Sequence, residues 1–279
     1  MDLFRHILVA TDFSEPASWA LKSGVGLAST MGAQLTLLAV VQPYRPGTLA
    51  QSSLTGAAVE APFLREAEAE LNRLREAHVP EEVGVRMEAI VDLSPAGAIT
   101  DAAESWDVDL MVLGTRGQGG FRRLLLGSVA EQVVRHAPCP VLTLGRAAFA
   151  GSAHQKGVAV AVDLTDGAEP ALDAGESLAH AFGVPLTVVH VVTDAAEKED
   201  AEKRLEGLRK IRQLPELKGE VVHDDDPVDA VVAFAKRTQP ELLVVATHGR
   251  RGLRRSLLGS VSEHVVRHAP CPVLTVRRS

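Results

Sequence analysis

Aromatic residues are scarce, at 4% of 279 residues. No core here is built around stacked rings, and Val, Leu, Ile and Ala must fill it, which suits buried parallel strands better than a β-sandwich. A basic excess is missing too: 29 Lys and Arg stand against 36 Asp and Glu, a net charge of −7. That balance argues against nucleic acid as the main partner, because phosphate backbones are bound largely by clustered Lys and Arg. No apolar run approaches the ~18–20 residues that span a bilayer. The opening Met1–His6 lacks the charged-then-apolar plan of a signal peptide. Cysteine is limited to Cys139 and Cys271, at matching places in a repeat, which excludes a disulfide framework and fits a reducing compartment. The expectation is a soluble cytoplasmic protein with neither a nucleic-acid nor a membrane partner.

What the chain has is a duplication. Asp109–Leu144 and Glu241–Val276 align without a gap, with roughly two-thirds of positions identical, and a period above a hundred residues means duplicated domains rather than a solenoid. The earlier parts align as well, Ile7–Asp12 with Val158–Asp163 and Gly32–Val40 with Gly183–Val191. The spacing shortens between Val191 and Pro227, opposite the Pro-, Gly- and Ser-rich stretch Gln42–Val59 of the first copy, which reads as a long surface loop. A weakly patterned joint near Arg146–Lys156 separates the copies, so the domains are expected at 1–146 and 155–279.

Each copy alternates apolar runs with helix-spaced segments. In the first, strands are expected at Ile7–Ala10, Leu35–Val41, Val85–Val91, Leu110–Leu113 and Val141–Leu144. Helices are expected from a Ser14 cap to about Met31, and over Glu60–His78, Pro95–Ser105 and Ser128–His136. Strands alternating with helices imply right-handed crossovers and a parallel sheet covered on both faces. The fold class is α/β, two tandem doubly wound domains, and such folds bind ligands beyond the carboxyl ends of their strands, at the switch point.

The fourth strand of the first copy runs into Gly114-Thr115-Arg116-Gly117, followed nine residues later by Gly127-Ser128 at a helix start. Glycines there let the backbone turn sharply and approach a ligand. The N–H groups that open the next helix, with the Ser128 hydroxyl, suit an anion such as phosphate. A tight strand–helix connection explains the same glycines. Asp12 and Asp163 tip the reading toward a nucleotide: each ends the first strand of its copy and could meet a ribose hydroxyl or Mg²⁺ if the first and fourth strands are neighbours.

Gly114-x2-Gly117-x9-Gly127-Ser128, the opening Ala10-Thr11-Asp12 and the closing His136-Ala137-Pro138-Cys139-Pro140-Val141 together resemble the universal stress protein family, and the resemblance covers both copies. It implies five-stranded parallel sheets of Rossmann-like type and binding of ATP, or of AMP or ADP, with Mg²⁺ as a candidate companion. It also implies pairing of two domains through their last strands, here within one chain; whether that pair associates again with a second copy stays open. Carried over by position, the nucleotide site would comprise Ala10, Asp12 at the ribose, the Val40 backbone at the adenine, and Gly114 on the ribose side. Arg116, Gly117, Gly127, Ser128 and Val129 would surround the phosphates. In the second copy the matching residues are Asp163, Val191, Gly249, Gly259, Ser260 and Val261. Ala246 departs from the motif where its first glycine belongs.

Other signals have two readings. Asp224-Asp225-Asp226 before Pro227 is a helix cap or a Mg²⁺ recruiter. His136/Cys139 and His268/Cys271 are rigid entries into the last strands or halves of a zinc site. Arg122, Arg123, Arg254 and Arg255 are phosphate ligands or solvated loop charges. No catalytic residue and no nucleophile–base pair stand out, and Thr11-Asp12-Phe13-Ser14-Glu15 is no pyrophosphate loop. The expected function is nucleotide binding in a regulatory or stress-protective role, mainly in the first domain. The alternatives are a slow ATPase and a scaffold that binds no nucleotide.

Overall fold

The computed structural model describes residues 4–42, 57–115, 126–145, 149, 156–164, 167–247 and 260–277, with the backbone alone at 57–60 and 260–261. The first half runs β1 (His6–Thr11), α1 (Glu15–Met31), β2 (Gln34–Val41), α2 (Ala57–His78), β3 (Val85–Val91), α3 (Pro95–Ser105), β4 (Leu110–Gly114), α4 (Ser128–His136) and β5 (Val141–Leu144). The second runs β6 (Val158–Val162), α5 (Glu169–Phe182), β7 (Leu186–Val192), α6 (Lys198–Ile211), β8 (Lys218–His223), α7 (Pro227–Thr238), β9 (Leu242–Thr247), α8 (Ser260–His268) and β10 (Val273–Arg277). Helix α2 begins at Ala57, so the last residues of the loop expected over Gln42–Val59 are helical, and 43–56 lie outside the described residues.

The helix ends follow local chemistry. Ser14 caps α1 by accepting from the Ala17 N–H, and Pro16 sits in the first turn where its missing N–H leaves no bond unmade. Gly32 and Gly183 close α1 and α5 in the left-handed conformation, donating back to Ala28 and Ala179.

All ten strands form one sheet in the order β3-β2-β1-β4-β5-β10-β9-β6-β7-β8. Every neighbouring pair is parallel except the central one. There β5 and β10 run antiparallel, with Thr143 opposite Val273 and Val141 opposite Thr275. Thr143 and Thr275 are both buried, and each hydroxyl donates to a carbonyl of the facing strand, of Val273 at 3.1 Å and of Val141 at 3.2 Å. The two five-stranded doubly wound sheets are thus fused edge to edge about a local pseudo-twofold.

Helices α1, α2, α5 and α6 cover one face over a single apolar core that crosses the seam. Phe149 closes that seam. Its ring is 1% exposed and meets Phe182 edge-on at 5.0 Å, and its N–H donates to the buried Ser23 hydroxyl at 2.7 Å. On the other face the cores are separate, one under α3 and α4 and one under α7 and α8. Among the described residues, no helix is long and apolar enough to cross a membrane.

Candidate functional site

Strands β1 and β4 are neighbours, in register from Ile7 with Leu110 to Ala10 with Leu113. From β1 the chain winds outward through β2 to β3, and from β4 the other way to β5. The carboxyl ends of β1 and β4 are therefore the switch point, where the sheet opens a crevice. Asp12 follows β1 there, Val40 is near the end of β2, and Gly114 ends β4. The Gly127 N–H donates to the Thr115 carbonyl at 2.6 Å, which brings the start of α4 to the same edge. Gly127 supplies no side-chain cap, so the first-turn donors of α4, from Ser128 and Val129 onward, point out of its start toward that edge. Ser128 is exposed and Val129 half-buried, whereas Ala10 is buried in the core beneath. Arg116 and Gly117 lie outside the described residues, as do Arg122, Arg123, Arg254 and Arg255.

The Asp12 carboxylate is oriented by its own turn. Its Oδ1 accepts from the Ser14 N–H at 3.1 Å and from the Ser14 hydroxyl at 2.5 Å, while Ser14 caps α1. The next residue, Phe13, takes φ +62°, and Leu164 after Asp163 takes φ +50°. A bulky non-glycine residue adopts this region only under strain. Both copies place a positive-φ residue directly after the aspartate. No residue type there signals it, since neither Phe nor Leu favours such a conformation.

Gly114 serves a contact that spacing alone did not reveal. A β carbon there would stand 2.8 Å from both the carbonyl carbon and the oxygen of Pro16 and 3.0 Å from the Ala17 nitrogen. The glycine lets the first turn of α1 sit directly on the end of β4. In the second copy the corresponding residue is Ala246, and the helix start is altered to match. Gly24 and Gly175 seat α1 and α5 identically, since a β carbon on either would meet Val9 or Val160 at 2.3 and 2.2 Å. By that equivalence Gly167 replaces Pro16, and α5 begins at Glu169, opposite Ser18 rather than Glu15. The α5 helix proper starts later, relative to Ala246, than α1 does relative to Gly114. Ala246 is thus accommodated, and its carbonyl accepts from the Ser262 hydroxyl at 2.9 Å. The exchange of Pro16 for Gly167 was readable in the sequence but meant nothing until the helix was placed.

Asp163 and Val191 occupy the second switch point as Asp12 and Val40 do the first. Ser260 and Val261 open α8, with their side chains outside the described residues, and Gly249 and Gly259 lie outside altogether. The acidic run resolves as a cap. Asp226 Oδ1 accepts from the N–H groups of Val228 at 2.8 Å and Asp229 at 3.3 Å, and Asp224 Oδ1 accepts from the Asp226 N–H at 3.0 Å.

The zinc reading fails on register. Because β5 and β10 are antiparallel, Cys139 lies level with the end of β10 and Cys271 with the end of β5, about 20 Å apart at the rise of a strand. Burial pushes both thiols up, each to about 12. Among the described residues, no three His, Cys, Asp or Glu gather as a metal site.

Fold and edge chemistry together define two fused doubly wound modules, each with an aspartate directly after its first strand, and in the first the start of α4 is held at the same edge. The chain belongs to the universal stress protein family: that family's model matches residues 3–144 and 156–277. A universal stress protein of Mycobacterium tuberculosis is 33% identical over 190 residues, covering 62% of this chain and 63% of that relative. The chain thus spans somewhat under two-thirds of that relative's length. One from Methanocaldococcus jannaschii is 32% identical over 146 residues, covering 51% of this chain and 83% of the relative. The crystal structure of an Archaeoglobus fulgidus universal stress protein superposes with a TM-score of 0.77 at 22% identity over 99% of both chains, a likeness of fold.

Proposed function

We propose that the chain binds an adenine nucleotide, ATP or its AMP and ADP relatives, at the first switch point, and acts as a regulatory stress protein rather than an efficient catalyst. The observation that carries this is the bond from the Gly127 N–H to the Thr115 carbonyl. It holds an uncapped helix start beside Asp12, a donor set that fits phosphate next to an acceptor that fits ribose. In this reading Asp12 accepts from the ribose and the Val40 backbone reads the adenine. Gly117, Gly127, Ser128 and Val129 cradle the phosphates, with Arg116 flanking them. Ala10 forms the floor, and Gly114 acts by seating α1 against the pocket. Mg²⁺ would enter with a triphosphate. Asp163, Val191, Gly249, Gly259, Ser260 and Val261 form a second, weaker site, in a module where three consecutive aspartates replace Asp92-Leu93-Ser94. The modules of this reading are 1–146 and 155–279.

Calorimetry with ATP on Gly117→Asp and Gly249→Asp tests it, alongside mass spectrometry of any copurifying nucleotide. Loss of most binding in the first variant and little in the second is expected. Equal losses overturn the preference for the first module, and a ligand-free preparation that ignores added ATP overturns the nucleotide reading itself.

A further inference from the structure

The start of α4 is shared between the two modules. Leu126, immediately before Gly127, is 7% exposed, and Ala130, one turn into α4, is 4% exposed. Neither belongs to the first module's own core beneath α3 and α4. Both belong to the packed cluster of the second module, with Val231, Phe234, Val265 and Val266. The residues between them, Gly127, Ser128 and Val129, are those assigned to the phosphates.

Two further links run the same way. Arg135 on α4 reaches Glu263 on α8 at 3.4 Å, and Arg267 on α8 reaches Glu131 on α4 at 3.5 Å, a reciprocal pair across the pseudo-twofold. At the loop's base, the Thr115 N–H donates to the Leu144 carbonyl at 2.8 Å, and Leu144 ends the strand that pairs with β10. The cradle is therefore anchored on the second module by apolar packing, by ion pairs and through the central strands.

We infer that Leu126 is a positioning residue for the first module's nucleotide site and couples its occupancy to α8 of the second module. This rests on the nucleotide reading above. A ligand that tightens Gly127–Val129 also tightens the Leu126 and Ala130 anchors on either side, and binding linkage makes the effect reciprocal. The second module thus does more than repeat the first: it holds the first module's cradle in shape and senses whether it is filled.

The test is hydrogen exchange on the full chain with and without ATP and Mg²⁺, reading the α8 peptide 260–268. It is done in a Gly249→Asp background, so that nucleotide in the second module's own loop does not produce the signal. ATP is expected to slow exchange in α8. Leu126→Ala should abolish that protection and weaken ATP affinity about tenfold, within the usual range of coupling between sites. Leu126→Met, which refills the apolar space, should restore both. Calorimetric binding with unchanged α8 exchange, or a Leu126→Ala protein that binds ATP as the parent does, overturns the coupling and leaves the nucleotide reading standing. No binding to the parent chain overturns both. If Leu126→Ala does not fold, the parent's α8 response to ATP decides the matter.

Discussion

Gly114 and Pro16 are in backbone contact: a β carbon on the glycine would lie 2.8 Å from the proline carbonyl. The pair ties the carboxyl end of β4 to the first turn of α1, the turn whose Ser14 cap also orients Asp12. Gly114→Ala must therefore push that turn away, at about 1–3 kcal/mol by analogy with overpacked cores. The double variant Gly114→Ala with Pro16→Gly copies the second module's solution and should recover part of the loss. Ala246→Gly, where the helix proper starts later, should cost no more than the ~0.5–1 kcal/mol of added backbone freedom. With Pro16→Gly alone as the remaining corner, urea denaturation of the parent, the two single variants and the double gives the coupling energy directly. A neutral Gly114→Ala would show that the first glycine has no seating role.

Phe149 is a single side chain from the joint between the modules, yet it fills the seam between α1 and α5. Phe149→Ala should cost about 3–5 kcal/mol, the range for a fully buried phenylalanine. Ser23→Ala should cost about 1–3 kcal/mol, because it orphans the buried Phe149 N–H. Thermal unfolding checks both. A loss below about 1 kcal/mol for Phe149→Ala would mean that the seam closes without it.

The contrast between these two pairs explains what the sequence could convey. Periodicity and caps located the elements because each depends on local chemistry, as when Ser14 and Asp226 cap the helices that follow them. The shared pairing edge was implied by the family resemblance, and the nearly copied stretch ending in β5 and β10 fits it. The Gly114–Pro16 contact joins residues almost a hundred positions apart, and the joint around Phe149 has no pattern. Leu126 looks like one more apolar residue in a loop; nothing local says that its core belongs to the other module. Ala246 read as a departure by itself because the paired difference, Gly167 where the first copy has Pro16, lies far away in sequence.

The half-buried thiols give a pH dependence with a definite sign. Burial raises Cys139 and Cys271 from an ordinary 9.0 to about 12. Between those values the unfolded chain loses thiol protons that the folded chain keeps. Stability is therefore undiminished below about pH 9 and falls as pH rises through that window, by up to about 1.4 kcal/mol per pH unit for each thiol. Cys139→Ala with Cys271→Ala should flatten the fall between pH 9 and 11 in urea titrations. At pH 8 both half-buried thiols stay protonated in the folded chain, so native protein should react with iodoacetamide more slowly than unfolded protein. Native labelling as fast as that of the unfolded chain would contradict the raised thiol values.

Asp226 distinguishes a structural from a metal-binding role for the acidic run. Its Oδ1 takes two N–H groups at the start of α7, and Pro227 fills the first helical position, so the local geometry is already that of a cap. Asp226→Ala should cost about 0.5–2 kcal/mol, and Asp226→Ser or Asp226→Asn should recover most of it, because either side chain can accept the same bonds. Neither replacement keeps the charge a metal would need, which separates the two roles. The variants should also unfold at the same shift from the parent with and without millimolar Mg²⁺. A stabilisation by Mg²⁺ that Asp226→Asn removes would instead make the run a cation site, since an amide preserves the cap and loses only the carboxylate charge.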